Sequence, residues 1–418
     1  MNYKSKKIMI LGDNPESCVL VDAANEMGLQ TIVVGINKGT ITKKRAWKSF
    51  DVNALDVDSL EKIAKDEQIE GISIGVADIL VPAYTELCKR LGFYCYSSIE
   101  AVKYLSNKSL FKEQLKKVGL PVIPEFDKLE CKGIEFPVVV KPVDSGGGLG
   151  ISIVERPTEL QFAIEYATRS SHTGTIQVEK YMTGDVVACY FTIIDGNVFL
   201  SSLEDNLFTK KQGNLCPVTT GHRYASSYIK TYFEKYHSKI SSLLANVNAR
   251  NGVLQINAFV EDGIFYFYDP GYRLQGEAQH HILDAVNGFD HKKMLIDFAL
   301  TGKMYDGDFK SINDPNLHGK KCASVWILLK QGLIADIEGL DDILADKRVI
   351  FNGQRFFVGD SVSQSFIGTE KQVFSRIYIV ADSLEELNEM IDIISQKLRI
   401  KDIFGNDMVL DMLRPLDV

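Results

Sequence analysis

The chain has 418 residues, 45% of them hydrophobic and 24% charged, with a formal net charge of −8. That length exceeds what one hydrophobic core supports and predicts two or three domains. The acidic balance argues against a nucleic-acid sleeve, which needs a basic face to displace counterions, and no apolar stretch approaches the ~20 residues that cross a bilayer.

The N-terminal apolar run, Ile8 to Leu11 behind Lys6-Lys7, is too short for a signal-peptide core and reads as a buried strand. A turn at Gly12-Asp13-Asn14-Pro15, a helix from Cys18 to Met27, and a strand at Thr31–Val34 follow. Val57 to Asp66 has helical spacing, and Gly71–Ile74 is a further strand. Such alternation predicts a parallel sheet with helices on its faces. Gly12 lacks the GxGxxG context of a dinucleotide site, so its turn is read as a strand-to-helix connection lining a cleft.

Near Ser106 the pattern changes. Ser106-Asn107-Lys108-Ser109 caps a helix that runs to Lys117 and stops at Gly119 and Pro121. Strands are expected at Phe136–Lys141, Ile151–Val154 and Thr175–Glu179, with a glycine-rich flap between the first two. Hairpins are expected around Asp195-Gly196-Asn197 and around Asp262-Gly263, the second joining Val253–Val260 to Phe265–Asp269. After Asn313-Asp314-Pro315 come strands near Ala323–Lys330, Phe356–Val358 and Phe374–Val380, then an amphipathic helix from Ser383 to Leu398. The seven cysteines include no CxxC pair, which argues against a disulfide framework or a structural zinc site. Cys18, Cys88, Cys131 and Cys322 read as thiols of a reducing cytoplasm.

Three segments carry chemistry. Lys141 closes the apolar strand Val138-Val139-Val140, where a cation is costly unless an anion meets it. The run Ser145-Gly146-Gly147-Gly148-Leu149-Gly150 follows, and glycines let backbone N–H groups approach phosphate oxygens. A phosphate cradle with a lysine is the simplest joint explanation; a flexible hairpin beside a snorkelling lysine is the alternative for that segment alone. No GK[ST] follows, so it is not a Walker loop. Val178-Glu179-Lys180-Tyr181-Met182 breaks a strand at a charged pair and suits a hinge whose backbone meets an adenine edge. Asp269 closes the strand Phe265–Tyr268, where its carboxylate suits Mg2+. Arg273 lies four residues later, and Gln255 belongs to the partner strand.

In this order the segments resemble the ATP-grasp superfamily, in the branch of carbamoyl phosphate synthetase large subunits, phosphoribosylglycinamide synthetase-like proteins and bacterial L-amino acid ligases. The resemblance implies an α/β (α+β ATP-grasp) fold. It would have a Rossmann-like domain at 1–105, an ATP-grasp domain at 106–312 with a flap subdomain at about 113–185, and a lid domain at 313–418. It implies ATP and one or two Mg2+ ions as cofactors. Lys108 and Lys141 would bind phosphate with the flap residues Ser145, Gly146, Gly147 and Gly148. Glu179, Lys180, Tyr181 and Met182 would line the base, and Asp185 the ribose. Gln255 and Asp269 would hold metal, and Arg273, with Lys141, would act in catalysis. The family's Glu-x-Asn-Pro-Arg reads Asp269-Pro270-Gly271-Tyr272-Arg273 here, so Gly271 removes one metal ligand, for which Asn257, water or Glu277 are the replacements on hand. His222 and Arg223 fall where amino acid ligases often place substrate contacts, and His280-His281 reads as part of a helix facing the cleft rather than a zinc pair.

The implied activity is ligation of a small-molecule carboxylate to an amine or thiol through an acylphosphate. Membrane and nucleic acid are not expected partners, and a homodimer is compatible with the resemblance. The alternatives are an ATP-binding sensor or scaffold, opened by Gly271, and a phosphoribosylglycinamide synthetase-type ligase, whose Gly-Asp-Pro-Glu signature is absent.

Overall fold

The computed structural model describes residues 3–126, 134–143, 149–210 and 217–416. The first apolar runs become a four-stranded parallel sheet in the order Lys48–Asp51, Gln30–Gly35, Lys7–Leu11, Gly71–Ile74. Met9, Ile10, Ile32, Val33 and Ile72 are wholly buried, because helices cover both faces. Cys18–Glu26 and Val57–Glu67 form as expected. Helix Val81–Leu91, for which the pattern gave no reading, starts with proline in its first turn and stops at Gly92, whose φ of +70° suits a glycine C-cap. Asn107 caps helix Lys108–Lys117 by accepting from the Leu110 amide.

A nine-stranded sheet dominates the rest. Its order is Ile264–Gly271, Gly252–Glu261, Asp185–Ile194, Asn197–Phe208, Thr219–Tyr224, Lys321–Leu329, Val373–Ala381 and Val349–Asn352, with Val409–Asp411 beside Lys321–Leu329. Strands from the C-terminal hundred residues therefore continue the sheet that the two hairpins begin. The expected strand at Phe356–Val358 is not formed. The chain follows Val373–Ala381 as far as Arg355, whose amide donates to the Phe374 carbonyl. It then leaves through a turn in which the Phe357 amide donates to Asp360, and Phe357 and Val358 face solvent. Phe356 packs against the C-terminal hydrophobic cluster while its two apolar neighbours are exposed, so the hydropathy of the triplet misleads.

A third, smaller sheet orders Ser152–Val154, Val138–Pro142 and Ile176–Lys180, with helix Pro157–Ser170 on one side. Val138, Val140, Val154, Leu160, Ala163, Ala167, Ile176 and Val178 form a hydrophobic cluster of their own, apart from the main core. Cys18, Cys88, Cys189 and Cys322 are buried free thiols, and Cys131 lies outside the described residues.

Candidate active site

Lys108 and Lys112 stand one helical turn apart, on one side of the helix that Asn107 caps. Lys108 Nζ lies 3.1 Å from Asp269 Oδ1, and that carboxylate holds the ammonium above its usual range. Lys112 Nζ lies 2.8 Å from Glu179 Oε1 and 2.7 Å from Glu125 Oε1. Lys141 Nζ approaches Glu179 Oε2 at 2.5 Å. The two strands pair Val139 with Glu179, so Lys141 reaches the acid diagonally across one face. Glu179 is only 4% exposed. Burial acts to raise its carboxyl, and the ammoniums of Lys141 and Lys112 outweigh it, holding the acid below the usual carboxylate range. One cavity is lined by all three lysines together with Gln177, Glu179 and Tyr268.

The hinge has a different arrangement. Lys180 turns away from that cavity and pairs with Glu261 at 2.9 Å. Glu261 also accepts from the Thr183 and Gly184 amides, at 2.7 and 3.3 Å. Gly184 sits so close to the neighbouring strand that a Cβ would fall 2.2 Å from the Val260 carbonyl oxygen, which restricts the position to glycine. The Lys180 and Tyr181 amides already donate to the carbonyls of Pro124 and Pro137. Met182 is buried, and Asp185 accepts from the Tyr228 hydroxyl at 2.6 Å. Ser145, Gly146, Gly147 and Gly148 lie outside the described residues.

Register across the large sheet gathers one polar face. Asp269 is opposite Asn257, and Gly271 is opposite Gln255. Gln255 pairs with Tyr190 and Asn257 with Ala188, which is in turn opposite Glu204. Glu204 pairs with Tyr224, and His222 with Ser324. Cross-strand partners share a face, so these side chains line the same side. Gln255 is buried. Its amide nitrogen donates to Asn257 Oδ1 at 3.0 Å and to Glu277 Oε2 at 3.2 Å, while its oxygen accepts from Gln279 at 2.5 Å. Asp269, Gln255 and Asn257 offer oxygen donors, the chemistry a hard cation such as Mg2+ takes. At Gly271 a Cβ would meet the Gln275 amide at 2.8 Å, so the Gln275 side chain fills the space into which the family's asparagine would project.

Arg273 is clamped. Its guanidinium meets Asp78 Oδ2 and Gln275 Oε1, each at 2.5 Å, and Asp78 comes from the N-terminal parallel-sheet region. His222 is buried, with its Nδ1 3.0 Å from Ser324 Oγ and its ring edge-on to Trp326, and burial pushes its pKa down to about 3. Arg223, the next residue of the strand, points to the opposite face, where it donates to the Arg414 carbonyl at 2.5 Å. The structure therefore brings His222 to the polar face and not Arg223, because adjacent strand residues alternate sides. His281 stacks on Phe351 at 3.7 Å, and burial holds both His280 and His281 neutral.

Sequence reasoning missed Lys112, Glu204, Asp78 and Gln275. Lys112 carried a usable signal, its i+4 spacing from Lys108 on a capped helix. Glu204 lies mid-strand, and Asp78 stands 195 residues from Arg273, so only the fold connects them.

A family model for the D-ala D-ala ligase C-terminus matches residues 106–211. The 2-oxoglutarate carboxylase small subunit of Hydrogenobacter thermophilus is 23% identical over 320 residues, covering 70% of this chain and 66% of that protein. The chain spans less than two thirds of the length of the curated relatives it matches. An L-amino acid ligase from Bacillus licheniformis has a similar structure, with a TM-score of 0.79 at 17% identity, covering 96% of this chain and 99% of that one. The biotin carboxylase domain of the H. thermophilus 2-oxoglutarate carboxylase, solved with MgADP, ADP and bicarbonate, gives 0.75 at 17% identity, covering 95% and 90%. The similarity runs through the parallel sheet, the small flap sheet and the long antiparallel sheet alike: this chain carries the ATP-grasp fold.

Proposed function

We propose that the chain joins a small-molecule carboxylate to an amine, using ATP and Mg2+, with release of ADP and phosphate. The observation that carries this reading is the convergence of Lys108, Lys112 and Lys141 on one cavity, with Asp269 paired to Lys108. In this reading Lys108 and Lys141 hold the phosphates, with flap amides from Ser145 to Gly148. The backbone from Glu179 to Met182 borders the base, with the Lys180 side chain turned out to Glu261, and Asp185 borders the ribose. Glu179 positions Lys141, since its contacts are with lysines. Asp269 and Gln255 hold Mg2+, which supplies charge neutralisation at the phosphates.

The substrate carboxylate attacks the γ-phosphorus and ADP leaves; the amine then attacks the acyl carbon and phosphate leaves. Little covalent chemistry falls to the protein, which orients the reactants and meets developing charge. Arg273, fixed by Asp78 and Gln275, faces the acyl oxygen. His222 belongs to the substrate side, and the flap excludes water from the acylphosphate. We divide the chain for this purpose at 1–105, 106–312 and 313–418, with the flap at about 113–185, and place it in the cytoplasm.

Calorimetry with a non-hydrolysable ATP analogue and Mg2+ tests the reading. Binding is expected, weakened at least about tenfold in Lys141→Ala through loss of a charge-assisted contact. No binding, or unchanged affinity in the variant, sinks it. One observation favours a second reading, a sensor that binds ATP without turnover: the Gln275 side chain, not an asparagine, fills the space at Gly271. A screen of amino acid pairs for ATP-dependent phosphate release separates the two. Binding without release from any pair selects the sensor.

A further inference from the structure

The polar face contains a group of which the ligase reading uses only His222, and that only as a neighbour of the substrate. Glu204, His222 and Glu277 each bring one ligand atom to a common point, all within 4.8 Å of one another. Glu204 and His222 are buried, at 0% and 1% exposure. Among the described residues neither Glu204 oxygen completes a hydrogen bond of good geometry; the buried Tyr224 hydroxyl of its cross-strand partner faces the carboxylate without closing one. A carboxylate taken from water without a donor or a counter-charge is costly, and structures retain one where a cation or a proton compensates it.

We propose that Glu204, His222 and Glu277 bind a divalent transition ion, distinct from the Mg2+ of the nucleotide. Two carboxylates match the charge of such an ion, and an imidazole beside them favours Mn2+ or Zn2+ over Mg2+. His222 is already prepared as a ligand. Ser324 engages its Nδ1, which leaves Nε2 available as the ligand atom, and burial keeps the ring neutral. Gln255 Nε2 donates to Glu277 Oε2 and steadies the second carboxylate from behind. The same glutamine is the candidate ligand of the nucleotide metal, so the two ions would lie on either side of one side chain. An ion there offers positive charge to an oxygen of the substrate, next to the phosphates but not on them.

The test needs neither ATP nor turnover. The full chain is stripped with chelator, dialysed against Mn2+ or Zn2+ without nucleotide, and its metal content measured. The wild type is expected to retain about one equivalent, with affinity lowered at least about tenfold in Glu204→Gln and in His222→Ala. Asp269→Asn is expected to retain the ion, and circular dichroism checks that each variant is folded. A wild type that retains no ion overturns the proposal and leaves a proton as the compensation of Glu204. Retention lost in Asp269→Asn but kept in Glu204→Gln assigns the ion to the nucleotide site and overturns it equally. Failure of the ligase reading would appear instead as absent ATP binding with this ion still held.

Discussion

The small flap sheet and the nine-stranded sheet meet at the same cavity but are built to opposite rules. The flap unit has eight buried apolar residues in a cluster of its own, and the ties to the rest include the ion pairs Lys112–Glu179 and Lys180–Glu261 and the hydrogen bond from Gln177 to Ser109. The large sheet has Phe191, Phe265, Phe267, Trp326 and Phe374 wholly buried, and its polar groups are fixed by register. Apolar burial is worth about 25 cal/mol per Å2, whereas Lys180–Glu261, exposed on its lysine side, is screened and weak, and Lys112–Glu179 is a buried pair. One unit can therefore open as a piece while the other holds its geometry, which is what a cover and a bench require.

Protonation of the buried histidines should separate the two most strongly. His222, His281 and His291 have folded pKa values near 3 against about 6.5 unfolded. The unfolded chain takes up their protons first, so stability is lost progressively as the pH falls below 6.5. All three pack on the large sheet or the helices beside it. Acid titration followed by hydrogen exchange should show that sheet losing protection from pH 6.5 downward. Protection that stays level to pH 4 would contradict their burial as neutral rings.

Next in size is Glu179→Gln. It leaves Lys141 and Lys112 without their shared carboxylate, and breaking a buried pair costs about 3 kcal/mol. The expected result is faster exchange in Val138–Pro142 and Ile176–Lys180 with the large sheet unchanged. A uniform loss across both sheets would show that the flap unit is not separately cooperative. The smallest effect is expected from Lys180→Ala. Its partner pair is exposed on the lysine side, so global stability should shift by less than about 1 kcal/mol, while proteolysis near the hinge accelerates. A loss above about 2 kcal/mol would mean that the pair fixes the hinge rather than tethering it.

The same contrast explains what the sequence made legible. The helix cap at Asn107, the lysine strand, the hairpin around Asp262-Gly263 and the Ser383-capped helix Leu384–Lys397 follow from local chemistry and lie within a residue or two of their expected places, whereas the strands of the first hairpin extend four and six residues beyond theirs. The Lys108–Asp269 pair and the Glu204–His222–Glu277 group depend on strand order, which local periodicity does not encode. Arg223 shows the limit at single-residue scale. Adjacent to His222 in sequence, it belongs to the other face, and only a known strand in a known register separates the two. Phe356–Val358 shows the converse, since hydropathy alone reads a turn as a strand.

The run of strands from Thr219–Tyr224 through Lys321–Leu329 into Val373–Ala381 has a consequence for how this chain can be divided. A protein cut after residue 312 would present Thr219–Tyr224 as a bare edge, with a row of unpaired amides and carbonyls open to any other strand. Such a fragment should self-associate rather than persist as a smaller folded unit. The last hundred residues are thus less a cap set over the site than the missing half of its wall, and a graft or truncation that treats them as separable would take Ser324 and Trp326 away from His222.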